Sequence, residues 1–140
     1  MANPSVEIQQ IGDTPTSQGI ARDHRVLIDR PEAKGGHDRG PIGGEMLLLA
    51  LGGCFMSNLI EAANARDLQV DDMRVVVHGE MGGNPTVFQS ATMEVYGDPA
   101  DEALFGKVIE IAERACINTN TLKGCIEIDV RRQTAASAAV

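Results

Sequence analysis

The chain has no tryptophan and only four aromatic residues, Phe55, Phe88, Tyr96 and Phe105. Its core must therefore be aliphatic and methionine-rich. Basic residues are also scarce, with 12 Lys and Arg against 20 Asp and Glu and a formal charge of −8. That balance argues against nucleic acid and against an anionic membrane surface as partners. Its three cysteines and three histidines include no closely spaced Cys or His pair, and the cysteines lie 62 and 9 residues apart. Zinc frameworks need such pairs, so no metal site is expected. Gly35-Gly36 and Gly43-Gly44 lack the Lys-Ser/Thr of a phosphate loop, and no dinucleotide fingerprint occurs. The first residues carry neither a basic segment nor an apolar run, so no signal peptide is expected. The apolar run Met46–Ile60 falls short of the ~20 residues a bilayer demands, and reads as a buried helix. A cytoplasmic location follows as the expectation, a compartment where disulfides are transient and catalytic when they form.

What remains is ordinary globular material. At 140 residues and 43% apolar content the sequence is expected to form a single domain, with residues 132–140 as a frayed tail. Val6, Ile8 and Ile11 open an extended region that Val26-Leu27-Ile28 closes, with a turn at Asp13–Ser17 between them. Residues 31–44 hold five glycines and two prolines and read as a strap between structured segments. Residues 44–67 form the longest helix candidate, with Leu47, Leu48, Leu51, Phe55, Leu59 and Ala62 at helical spacing and Met46, Leu49, Ala50 and Met56 on the other side. Such a helix is roughly 36 Å long at 1.5 Å per residue. A chain of this size has a radius of gyration of only about 14 Å, so a second subunit is expected to help cover the helix.

Strand patterns return at Met73–Glu80 and Thr86–Tyr96, around the turn Gly82-Gly83-Asn84-Pro85. Asp98 as N-cap and Pro99 as first residue predict a helix to about Ala115, with Leu104, Val108, Ile111 and Ala115 buried. Ile126, Ile128 and Val130 mark a last strand. The order β-β-β-α-β-β-α-β implies an α+β fold with a largely antiparallel sheet.

The chemistry turns on the thiols. Cys54 lies near the middle of the long helix, and Cys116 closes the second one. A free cysteine usually behaves as a small buried hydrophobe. Yet Gly52-Gly53 precede Cys54 inside a helix, where each glycine costs ~1 kcal/mol relative to alanine. Glycines there permit close approach of a backbone or a substrate. Arg22, Arg25, Arg30, Arg39 and Glu45 lie in the preceding segment, and a cation near a thiolate lowers its pKa. Glu45 stands nine residues before Cys54, so the two start on opposite helix faces. Along Arg22–Val26, alternation sets Arg22 and His24 against Arg25. Phe55 and Met56, beside Cys54, suit either an apolar substrate wall or a dimer core. Cys125, at the start of the last strand, reads as core filler.

Three stretches carry a family resemblance: Val26–Pro31, Gly35–Pro41, and Glu45 through Gly52-Gly53-Cys54. Together with Ala115-Cys116-Ile117-Asn118-Thr119-Asn120-Thr121-Leu122, they resemble the OsmC/Ohr superfamily over roughly residues 5–131. The resemblance implies an intertwined homodimer with a long buried central helix between outer sheets. It implies a thiol-dependent peroxidase of organic hydroperoxides that needs no bound cofactor. Cys54 then maps to the peroxidatic thiol and Cys116 to the resolving thiol. An Arg–Glu pair beside the thiolate maps to Glu45 with Arg22 or Arg25. The reductant is an external dithiol, a lipoyl protein or a thioredoxin-like protein. Two positions depart from the pattern: in the best-studied peroxidase branch the glutamate stands ten residues before the first cysteine, where this chain has Gly44 and carries Glu45 nine before, as in other OsmC-like branches, and Ile117 replaces a frequent proline. The alternative on the same fold is a ligand-binding or sulfur-handling protein without peroxidase activity.

Overall fold

The computed structural model describes residues 3–134, so the proposed tail lies outside the described residues from 135 on. Arg132 itself ends a strand. The elements run β1 (Glu7–Gln10), β2 (Ser17–Ala21), β3 (His24–Ile28), α1 (Gly43–Ala65), β4 (Val70–Gly82), β5 (Val87–Pro99), α2 (Glu102–Ala115), α3 (Ile117–Leu122) and β6 (Glu127–Arg132). This is the expected α+β order with a short helix, α3, added before the last strand. Two compact units divide the chain after Leu47, each with its own three-stranded sheet.

In the first unit β1, β2 and β3 form an antiparallel meander, with Ile8 opposite Gly19 and Gly19 opposite Val26. Residues 29–42 are a strap tied back onto β3 and held by one carboxylate. Asp29, 3% exposed, accepts from Thr16 Oγ1 at 2.7 Å and from the backbone N–H groups of Arg30 (2.7 Å), His37 (3.3 Å) and Arg39 (3.2 Å). The Asp29 N–H in turn donates to Pro41 O at 3.0 Å. Gly36 is required in this strap, because a Cβ there would lie 1.9 Å from the Arg30 carbonyl oxygen.

Burial pushes the Asp29 carboxyl up, but its hydrogen bonds with Thr16, Arg30, Arg39 and His37 outweigh that and hold it at about 2, below the ordinary 3.8. The folded value is depressed, so the contribution to stability is full above pH 3.8 and is lost as pH falls toward about 2. Asp29→Asn is expected to flatten the acid limb of the stability curve in that window and to lower stability at neutral pH. Unfolding followed by circular dichroism across the acid range checks this. An unchanged acid limb in the variant contradicts it.

In the second unit β4 and β5 pair antiparallel over long strands, and β6 pairs parallel with β5. The strand pairing is therefore largely antiparallel, as the element order implied, with one parallel pair between β5 and β6. A helical segment between β5 and β6 carries the chain back along the sheet, and parallel neighbours need such a crossover. α2 starts one turn later than expected. Asp98 and Pro99 stay in β5, opposite Asp71 and Val70, because β4 begins early enough to pair with them. The N-cap is Asp101, whose carboxylate accepts from the Leu104 N–H at 3.0 Å. The buried face shifts accordingly to Phe105, Val108, Ile109 and Ala112. Arg132 closes this side: its guanidinium lies 4.9 Å from the Phe105 ring and donates to Glu102 and to Gly97 O.

α1 is one unbroken helix of 23 residues. By length and composition it is long and apolar enough to cross a membrane, beyond what the run Met46–Ile60 suggested. Leu51, Gly52, Phe55, Leu59, Ala62 and Ala63 are buried. All of these but Gly52 join Met93, Val95, Phe105, Val108, Ala112 and Cys116 in one core cluster. α1 is thus a core helix on one face only. Leu47, Leu49 and Ile60 remain 40%, 60% and 44% exposed.

Candidate active site: a two-cysteine cluster

Cys54 is half-buried and packs against the core cluster that contains Cys116. The two glycines before it differ in role. A Cβ on Gly52 would sit 2.7 Å from Val77 Cγ2, so this glycine lets β4 close on the helix. A Cβ on Gly53 would meet nothing within 4 Å. Asn58, one turn on, donates from Nδ2 to Cys54 O at 2.9 Å, and the same nitrogen lies 3.9 Å from Cys54 Sγ. Its position at i+4 from the cysteine was visible in the sequence, and residues so spaced meet on a helix. Phe55, beside the thiol, is fully buried in this unit's own core, where it was open as substrate wall or dimer core.

Cys116 is sealed, at 0% exposure, and serves two helices at once. As C-cap of α2 it donates its N–H to Glu113 O at 3.3 Å. As N-cap of α3 its Sγ accepts the Thr119 N–H at 3.4 Å. Ile117 is the first residue of α3, a position that proline fits without loss of a hydrogen bond. Asn118 then fastens this segment to α1. Its Nδ2 donates to Ala50 O at 2.8 Å, the same carbonyl that regular helical bonding assigns to the Cys54 N–H. One carbonyl therefore links the backbone of the first cysteine to the segment that begins at the second. Asn58 was open to reading by its spacing from Cys54, whereas the Asn118 contact, across 68 residues, is written in neither composition nor periodicity.

The other expected site residues lie in the first unit. Glu45, the third residue of α1, accepts the Ile42 N–H at 3.0 Å and so caps its own helix. Arg22 is exposed in the β2–β3 turn with φ 56°, not on a strand face, so it does not alternate with His24 and Arg25. Arg25 is exposed on β3 opposite Ile20. Cys125 is exposed in the turn before β6, not core filler, since the strand starts two residues after it. Among the described residues no group of three His, Cys, Asp or Glu side chains stands close enough to hold a metal ion.

The family model for OsmC-like proteins matches residues 36–131. The chain belongs to the OsmC-like family. Solved structures agree on the fold. An OsmC-like protein from Mycoplasma pneumoniae superposes with a TM-score of 0.82 at 18% identity, covering 96% of this chain and 99% of its own. The organic hydroperoxide resistance protein OsmC of Legionella pneumophila gives 0.69 at 13% identity, covering 97% and 98%. OhrB of Bacillus subtilis, an organic hydroperoxide resistance protein, gives 0.68 at 13%, covering 94% and 98%. No curated protein matches the sequence. At these identities the likeness establishes the fold of this OsmC-like chain and leaves its activity to the chemistry of the site.

Proposed function

We propose that this OsmC-like protein is a thiol-dependent peroxidase that reduces organic hydroperoxides. The observation that carries the reading is the pair of cysteines on one core cluster, joined through Asn118 and the Ala50 carbonyl. The Cys54 thiolate attacks one peroxide oxygen. The O–O bond breaks, the alkoxide leaves and takes a proton as the alcohol, and Cys54 becomes a sulfenic acid. The Cys116 thiolate then attacks the Cys54 sulfur. The S–S bond forms, the S–O bond breaks, and hydroxide departs as water after protonation. An external dithiol reduces the disulfide in two exchanges and is itself oxidised to a disulfide. A lipoyl or thioredoxin-like protein fits that role, and no bound cofactor is needed. Glu45 with Arg22 or Arg25 is proposed to act on the Cys54 thiolate. The location proposed is cytoplasmic, and the whole chain is taken as one OsmC-like domain because relatives are covered almost end to end.

The test is consumption of cumene hydroperoxide by the purified protein with a dithiol reductant, hydrogen peroxide serving as comparison. Turnover well above that of the free dithiol, lowered by replacing Glu45 and one of the two arginines with alanine, supports the reading. Turnover no faster than free dithiol overturns it. A second reading keeps a specific basis: Cys116 is fully sealed, which also suits a ligand-binding or sulfur-handling protein with inert thiols.

We further propose that the active form is a homodimer that covers the exposed face of α1. Leu49 and Ile60 are large apolar side chains left 60% and 44% exposed on the face of α1 turned away from its core-facing residues. Sedimentation is expected to give a mass near twice the 14.9 kDa of the chain, and Leu49→Glu is expected to shift it toward one. A wild-type protein that sediments as single chains contradicts this.

A further inference from the structure

Asparagine is a weak former of helix interiors, because its side chain competes for backbone partners. Asn58 nevertheless lies inside α1, half-buried and one residue before the buried Leu59. Its amide turns back along the helix, where Nδ2 donates to Cys54 O at 2.9 Å. A carbonyl oxygen has two lone pairs, and regular helical bonding takes one for the Asn58 N–H, so the second serves the side chain. The side chain is thereby fixed at the turn that carries the thiol. The same bond settles which end of the amide faces the cysteine, since only the nitrogen end can donate to a carbonyl.

That nitrogen carries two N–H groups. The bond to Cys54 O uses one. The nitrogen also stands 3.9 Å from Cys54 Sγ, in hydrogen-bonding geometry to the sulfur. Among the described residues no other hydrogen bond reaches this sulfur. Cys54 otherwise packs on the core cluster, whose members are apolar apart from Cys116. The titratable neighbour on its flank of α1 is Glu61, exposed and two turns on, whose charge opposes that of a thiolate.

We propose that Asn58 is part of the thiol site, its second amide N–H donating to the Cys54 thiolate. The use of that thiolate rests on the peroxidase reading. A neutral thiol is a weak acceptor, and the long contact in the reduced protein fits that state. A bond to an ionised acceptor is shorter and about twice as strong. The amide therefore favours the thiolate, the species that attacks, over the thiol. Because its other N–H is anchored on the Cys54 backbone, the donor stays with the cysteine whatever else lines the site.

The experiment follows alkylation of Cys54 by iodoacetamide in the full-length protein from mildly acid to alkaline pH, read by peptide mass. The thiolate is the reacting species, so the rate traces ionisation. Asn58→Ala is expected to react about three- to tenfold more slowly than wild type at neutral pH, and equally fast once both are fully ionised. The whole profile thus moves to higher pH. Asn58→Asp is expected to move it further, since a side chain of the same shape loses the donor and adds a like charge. Glu61 is common to all three proteins and cancels in the comparison. Coincident profiles of Asn58→Ala and wild type overturn the proposal. So does a rate lowered by one factor at every pH, which assigns Asn58 to access or packing. Should Asn58→Ala fail to fold, Asn58→Asp decides alone, and a profile at or below that of wild type overturns the proposal. No peroxide enters this measurement, so an inactive wild type would sink the peroxidase reading and leave the alkylation result standing.

Discussion

Cys54→Ser is expected to lower turnover of an organic hydroperoxide by about 10³-fold or more, to the rate of the free dithiol. A serine hydroxyl is not ionised at neutral pH, whereas cysteine supplies a thiolate, the species that attacks. Nor can an oxygen nucleophile form the sulfenic acid on which the second half of the cycle depends. Cys116→Ser acts later. Its first turn still makes the sulfenic acid and one alcohol, so a single turnover survives while cycling under dithiol is lost. The two variants therefore separate the attacking from the resolving thiol. Equal activity of Cys54→Ser and wild type would move the chemistry off this cysteine.

Phe55→Ala is expected to cost ~3–5 kcal/mol of stability. Phe55 is 0% exposed and shares a helix face with Leu51 and Leu59, both at 1% or less. Its large cluster partners Met93 and Phe105 are themselves 0% exposed and already packed, so the space is not readily refilled. Domains of this kind hold only about 5–15 kcal/mol in total, so the loss takes a large share. At roughly 4 °C per kcal/mol for this size, the melting temperature is expected to drop by about 12–20 °C. Thermal unfolding by circular dichroism measures it. A loss below about 1 kcal/mol would mean that Phe55 is not in the packed core. Because Phe55 adjoins Cys54, a smaller drop with lost activity would point instead to a wall of the substrate site.

Much of this architecture could be read from the chain. The alternation of Ile126, Ile128 and Val130 gave β6, and the run of leucines through Leu59 gave α1. The pairing of β6 could not be read in the same way, since alternation reports which face is buried and not which neighbour lies beside it. The crossover sign was present all the same, because a helix of 14 residues stood between β5 and β6. Asp98-Pro99 suggested a helix start by local preference, and pairing with Val70 and Asp71 overrode it. Both cysteines were legible through their motifs. Asn118 was not, because it matters through one contact that depends on how α1 and α3 meet, whereas the Asn58 contact lay within α1 at a spacing the sequence shows. Asp29 was likewise invisible as a buried carboxylate, since its partners are Thr16, thirteen residues before it, and backbone N–H groups up to ten residues on along the strap.

The central claim is that Cys54 and Cys116 act as one redox pair, and a single-turnover reaction tests it most directly. Reduced protein is mixed with one equivalent of cumene hydroperoxide and no dithiol, alkylated under denaturing conditions, and analysed by peptide mass. The expected result is one equivalent of alcohol, a Cys54–Cys116 disulfide, and Cys125 alkylated as a free thiol. Recovery of all three cysteines as free thiols with the hydroperoxide unconsumed would contradict the account.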